Sequence, residues 1–187
     1  MNNIEGQDII KFYRAVGKFG FLSNLYKKAL IFEDREFPAS EYAYLFGIFK
    51  DEVTREWAMN APKPHLLSIL AHGLFSWDIV ENWSKIKVDR MYNVLKVKFT
   101  DIELKQKLLE TGNSILLENS KTDSYWGIGK VGKGKNMLGK LLMKLRAEIR
   151  KCGKCEFYND LMEECEAYEE DPSNCKEFKS RENKESE

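Results

Sequence analysis

Residues 123–136 read Asp-Ser-Tyr-Trp-Gly-Ile-Gly-Lys-Val-Gly-Lys-Gly-Lys-Asn and lead into helical spacing over Met137–Arg150. Four glycines in so short a stretch let the backbone turn tightly and approach a neighbour closely. A helix start placed directly after them adds unpaired N–H groups and the positive end of a dipole. Asn136 suits the N-cap, and Trp126 offers a flat apolar face for a base or sugar. These parts together suit an anionic, nucleotide-like ligand held by the amides from Gly127 through Gly129 to Asn136. The spacing is neither G-x-x-x-x-G-K-[ST] nor G-x-G-x-x-G after a long strand. A surface hairpin carrying solubilising lysines is the competing reading of the same residues.

The rest of the chain reads as short elements. Ile9–Val16 is a broken strand and Gly17–Asn24 an aromatic turn. Ala29–Phe32 and Glu36–Phe37 form a hairpin. Ser40 then caps a helix over Glu41–Lys50, whose Tyr42, Tyr44, Leu45, Phe46, Ile48 and Phe49 leave little polar surface, so it is buried nearly all round. Glu41 therefore sits at the mouth of a buried helix, either complementing its dipole or serving as an acid or base in a cleft. Further helices fall over Asp51–Asn60, His65–His72, Glu81–Phe99 and Ile102–Glu110, the last capped by Asp101 and ended by Gly112. Ile115–Glu118 is a strand. In Glu81–Phe99, Lys87 and Lys98 lie about 20° apart around the axis and about 16 Å apart along it. They cannot both reach one reacting atom. One can act on the chemistry while the other holds a distant phosphate, or both can snorkel from the core edge.

Charge and cysteine distribution bound the partners. Of 30 basic and 30 acidic residues, 6 and 12 fall in residues 151–187, leaving 24 and 18 for residues 1–150. The body is +6 and the tail −6, which favours anionic partners for the body. No apolar run is long enough to span a bilayer, and no signal-like segment opens the chain, so a cytoplasmic location is expected. All four cysteines lie in the tail, which excludes a cysteine nucleophile in the body. Cys152, Cys155, Cys165 and Cys175 could close a structural zinc site, although only the first pair has C-x-x-C spacing; free thiols are the alternative. His65 and His72, with no third ligand, are poor metal candidates. The final dozen residues read as disordered.

An ordered set of motifs resembles the NADAR superfamily (named for NAD and ADP-ribose), also called the YbiA-like family. The set is Phe12-Tyr13, Gly20-Phe21-Leu22-Ser23-Asn24-Leu25-Tyr26, Phe37-Pro38-Ala39-Ser40-Glu41-Tyr42, Trp83 with Lys87 and Met91, and Lys98-Phe99. It continues with Leu108 to Gly112, Leu117-Glu118, Asp123 with Trp126 to Gly129, Gly132, Gly134, Asn136, Leu138-Gly139, Leu142-Met143 and Arg146. The resemblance covers about residues 9–150. It implies a compact, helix-rich α+β domain with a small β component over residues 1–150, followed by the acidic tail at 151–187. It also implies N-glycosidase chemistry with no metal or organic cofactor for catalysis. Substrates in the family include ADP-ribose on guanine bases, which can be carried by nucleic acid, and phosphoribosylated riboflavin intermediates. Members of the riboflavin type often carry His, Gln and Lys where this chain has Tyr42, Leu45 and Ile48.

N-glycoside cleavage passes through an oxocarbenium-like sugar. Glu41 and Asp123 are the carboxylates to stabilise that cation, orient the sugar or activate water. A lysine, Lys87 or Lys98, is expected to act as an acid or to form an imine at the anomeric carbon. Trp83 and Trp126 are placed to stack on base or sugar. Phe21, Ser23 and Asn24 complete the expected binding set, Asn24 on a ribose hydroxyl. A non-catalytic ADP-ribose-binding module is the remaining alternative.

Overall fold

A computed structural model describes residues 8–60, 66–67, 73, 76–153, 158–159 and 164–165. The fold is α+β and rich in helix. Strand β1 (Ile9–Phe12) pairs in parallel with β4 (Ile115–Glu118), Phe12 opposite Glu118. Strands β2 (Leu30–Phe32) and β3 (Arg35–Phe37) form an antiparallel hairpin. Its turn places Glu33 and Asp34 in the left-handed region, at φ 52° and 58°, as a two-residue hairpin turn requires. A further short antiparallel pair joins β5 (Tyr158–Asn159) and β6 (Glu164–Cys165).

The helices are α1 (Ser40–Phe46), α2 (Glu52–Met59), α3 (Trp83–Lys98), α4 (Ile102–Glu110) and α5 (Met137–Gly153). Helices α2 and α4 begin as their sequences dictate. The Asp51 carboxylate accepts the Thr54 N–H at 2.6 Å and the Asp101 carboxylate accepts the Leu104 N–H at 3.0 Å, each satisfying an orphan donor. Helix α1 departs from expectation in two ways. It stops at Phe46, and the residue before its first turn is Ala39, not Ser40. The Ser40 hydroxyl instead donates to the Asn24 carbonyl at 3.1 Å, and the Glu41 N–H donates to the same oxygen at 3.0 Å. The start of α1 is thus tied to the Gly20–Leu22 turn rather than closed on itself.

Helix α1 packs on α3, and α5 packs on β4. Core residues Tyr42, Ala43, Leu45, Met91, Val94, Leu95, Leu116 and Leu142 join these elements. Gly139 is where α5 touches the strand: a Cβ there would collide with the Leu116 carbonyl. Two arginines tie helix ends to the body. Arg90 donates to the carbonyls of Ala43 (2.7 Å) and Tyr44 (3.1 Å), near the end of α1. Buried Arg146 donates to the Thr111 hydroxyl (2.6 Å) and the Ser114 carbonyl (2.8 Å), fixing the link from α4 to β4. Among the described residues no helix is long and apolar enough to cross a membrane.

Candidate active site

Helix α1 supplies the first half of the site. Glu41 lies in its first turn, partly buried, and Tyr44 follows one turn later on the same face. The Tyr44 hydroxyl accepts the indole N–H of Trp126, and its ring meets the Trp126 ring edge-on with centroids 5.5 Å apart. Burial, and then the nearby Glu41 charge, push the Tyr44 phenol well above its usual range. The indole segment therefore meets the carboxylate-bearing helix. Trp83, at the start of α3, packs on the other side of Tyr44 at 5.3 Å. Tyr125 stands edge-on to Trp126 at 5.2 Å. Trp83, Tyr44, Trp126 and Tyr125 make a continuous aromatic wall.

The two lysines of α3 part company as their spacing requires. Lys98 is 2% exposed, and its Nζ donates to the Ser23 carbonyl at 2.8 Å. Desolvation lowers its pKa to about 7, with the Glu41 charge opposing the fall. Lys87 lies elsewhere, with its Nζ 3.6 Å from the centroid of the Tyr125 ring, and Lys135 approaches the same ring at 5.1 Å. Lys98 is thus the amine near Glu41, and Lys87 belongs to a cationic pair around Tyr125.

Asp123 opens the glycine segment. Its Oδ1 accepts the N–H groups of Tyr125 (2.7 Å) and Trp126 (2.8 Å), which fixes both the carboxylate and the indole. The segment itself corrects a sequence expectation. Its amides are expected to cradle phosphate, but those of Ile128, Gly129, Gly132, Gly134, Lys135 and Asn136 bond within the fold. The Ile128 N–H donates to the Glu118 carbonyl (2.9 Å), Gly129 to Asp123 (3.1 Å) and Gly134 to Ile128 (2.7 Å). Lys135 donates to Ser124 (2.7 Å), Asn136 to Gly127 (3.1 Å), and the first amides of α5, Met137 and Leu138, to Tyr125 and Trp126 (3.1 Å each). A buried amide with a good partner has nothing left to offer an anion. At Gly127 the segment closes on the strand: a Cβ there would lie 2.8 Å from the Glu118 carbonyl.

Asn136 is corrected likewise. It precedes α5, at φ 50°. Its side chain faces the strand, accepting the Glu118 N–H at 2.9 Å and donating to the Leu116 carbonyl at 2.8 Å. It closes the edge of β4 and does not cap the helix. Phe21, Ser23 and Asn24 are buried beneath the site. Phe21 packs edge-on against Phe99 at 6.4 Å. Ser23 contributes its carbonyl to Lys98, and the Asn24 amide donates to the Met91 sulfur at 3.0 Å. These groups position Lys98 and α1.

One carboxyl group was not singled out by sequence reasoning. Glu118, at the end of β4, has its pKa raised to about 8, by desolvation first and then by the charges of Glu41 and Asp123. The strand's alternation carries the signal: Leu116 faces the core, so Glu118 two residues on faces the same way. The tail cysteines expected to bind zinc, and His65 and His72, lie outside the described side chains.

Residues 11–150 match the NADAR domain. The chain belongs to the NADAR family. It is 34% identical over 142 residues to N-glycosidase YbiA of Escherichia coli, covering 75% of this chain and 88% of that one. It is 32% identical over 145 residues to an N-glycosidase of Nostoc punctiforme, covering 75% and 92%. A riboflavin biosynthesis protein of Vibrio vulnificus is 32% identical over 150 residues, covering 80% of this chain and 40% of that one. The solution structure of E. coli YbiA superposes with a TM-score of 0.70 at 32% identity, covering 79% of this chain and 88% of that one. The enzyme class of this NADAR chain is hydrolysis of N-glycosyl bonds.

Proposed function

We propose that this NADAR protein releases a base from an ADP-ribosylated or nucleotide-like substrate, such as ADP-ribosyl guanine, by cleaving the ribose–nitrogen bond. The observation that carries the reading is the meeting of Glu41 and buried Lys98 with the Trp83–Tyr44–Trp126 wall. The wall gives a purine or ribose apolar faces to rest on. Lys87 and Lys135, around the Tyr125 ring, supply positive charge for the phosphates. The net charge of +6 on residues 1–150 supports a substrate base carried by a nucleic-acid strand.

In this reading Glu41 stabilises positive charge as it develops at the anomeric carbon. Asp123, held by two backbone amides, orients the sugar with its remaining oxygen. Lys98 is the reacting amine. With its pKa near 7, a substantial fraction is neutral at physiological pH, so its lone pair can attack the anomeric carbon. The bond from carbon to the base breaks, the ribose ring opens to an imine, and water returns the free sugar and the amine. No metal or organic cofactor enters these steps.

A second reading, cleavage of phosphoribosylated riboflavin intermediates, draws on the name of the Vibrio relative and on a maize riboflavin biosynthesis protein 46% identical over 69 residues. Against it, Tyr42 and Leu45 on α1 and Ile48 just past its end are all buried in the core, so the polar groups of riboflavin-type members have no counterparts at these positions. The test is to incubate the protein with ADP-ribosylated guanosine and, separately, with the riboflavin intermediates, and to quantify released base. Borohydride added during turnover should fix the sugar to Lys98, seen as a mass adduct absent from Lys98→Met. Glu41→Gln should cut turnover at least ~100-fold while ligand still binds. Base release from neither substrate class would favour a non-catalytic ADP-ribose-binding module.

A further inference from the structure

We propose that Glu118 is a catalytic residue, the acid that protonates the departing nitrogen. The proposal rests on the N-glycosidase reading and adds the group which that reading leaves unnamed. Glu41, beside the lysine, serves the cationic sugar, and Asp123 is committed through one oxygen to backbone amides. Neither role supplies a proton to the base.

The setting of Glu118 is that of an acid kept in its protonated form. It occupies a core-facing strand position where an apolar residue would ordinarily stand, and its register partner on β1 is buried Phe12. Its backbone is held on both sides: the N–H by Asn136 from the start of α5, and the C=O by Ile128 from the glycine segment. Its Oε2 is closed off from water and has no hydrogen-bond partner among the described residues, while the residue as a whole stays partly exposed. The charged groups that face it are Glu41 from α1 and Asp123 from the glycine segment, both negative. The neighbours from β1 and α5, Phe12 and Asn136, are neutral. An ionised carboxylate there would be repelled from two sides, with its Oε2 cut off from water. A protonated one carries an O–H donor that the surrounding protein leaves unused. Such an unpaired polar group costs stability, and a substrate nitrogen would give it a partner.

As the bond from the anomeric carbon to the base breaks, its electron pair goes to the base nitrogen, and the proton on Glu118 moves to that nitrogen. Glu118 becomes a carboxylate for the moment. The amine that adds at the anomeric carbon loses a proton, which returns Glu118 to its acid form; the water that later releases the sugar gives its protons to the departing lysine nitrogen. Lys98 must be neutral and Glu118 protonated in the same molecule, so kcat should follow a bell. It should rise through about pH 7 and fall through about pH 8.

The test compares wild type with Glu118→Gln and Glu118→Asp in the full chain, on ADP-ribosylated guanosine, from pH 6 to pH 9. Gln keeps the volume and removes the acid; Asp keeps the acid on a shorter arm. The proposal expects Glu118→Gln to lower kcat at least ~100-fold, with KM within about twofold, and to lose the alkaline limb. Glu118→Asp should recover activity above the Gln variant and retain that limb. Difference infrared spectra at pH 7 should show a protonated-carboxyl band in wild type that is missing from Glu118→Gln. Either a Gln variant within threefold of wild type, or an alkaline limb that survives in it, overturns the assignment. If Glu118→Gln does not fold, an Asp variant with no alkaline limb overturns it instead. Wild type that releases no base from any N-riboside overturns the N-glycosidase reading itself. The infrared band then shows separately whether the buried acid exists.

Discussion

Replacing Lys98 by Met should make the protein more stable, and by an amount that depends on pH. Burial lowers the Lys98 pKa from 10.5 in an exposed lysine to about 7 in the fold. Between those values the folded state holds fewer protons than the unfolded chain. Stability therefore rises with pH across that window, and the full penalty is present below about pH 7. A shift of that size corresponds to roughly 5 kcal/mol at pH 6, at ~1.36 kcal/mol per unit. By pH 9 most of the folded molecules carry a neutral amine, and the penalty is down to roughly 2 kcal/mol. Met is of similar length, unbranched and uncharged. It leaves the Ser23 carbonyl without its donor, which costs ~1 kcal/mol. The variant should thus be more stable than wild type by roughly 4 kcal/mol at pH 6 and ~1 kcal/mol at pH 9. Urea unfolding of both proteins at pH 6, 7, 8 and 9 measures the gap directly. A gap that stays constant within ~1 kcal/mol over that range would refute the claim that Lys98 is held near neutrality by burial. The same variant should release no base, which would mark Lys98 as a residue kept for chemistry at a cost in stability.

Other outcomes follow from the same geometry. Lys87→Ala and Lys135→Ala should each raise KM for a phosphorylated ribose substrate roughly three- to tenfold, as for loss of one exposed charge contact, with kcat little changed. Added salt should weaken wild-type binding more than that of the double variant. Asn136→Ala should lower stability by about 3 kcal/mol, because it leaves the Leu116 carbonyl and Glu118 N–H unpaired and puts a Cβ-bearing residue with no compensating bonds at positive φ. Thermal unfolding should register that as a fall of roughly 10 °C.

Local rules made much of the fold legible. The Ile115–Glu118 strand, the β2–β3 hairpin and the Asp51 and Asp101 caps are each set by residues within a few positions of one another. So was the separation of Lys87 from Lys98, which helical geometry alone requires. What stayed hidden depends on partners far away in sequence. Asn136 has the residue type of a helix cap, and nothing local says that a strand edge twenty residues earlier takes both ends of its amide. Ser40 likewise serves the Asn24 carbonyl, not its own helix. The amides of the glycine segment read as open in sequence because their acceptors, such as the Glu118 carbonyl, are brought in only by folding. Glu118 was the readable residue that escaped. The inward turn of Leu116 already implied that the carboxyl two positions later faces the interior, but a strand of four residues at the end of a parallel pair gives that alternation little weight.

The self-bonded glycine segment separates two kinds of change. Its outermost residues, Lys130 and Val131, are exposed between Gly129 and Gly132, where the Gly132 N–H donates to the Gly129 carbonyl at 3.2 Å and closes the tip. Everything that holds the indole lies inside that closure. A lineage could therefore alter the tip's length or charge while the indole ring stays where it is. A short epitope or fluorophore spliced at Val131 would report on docking events without touching turnover.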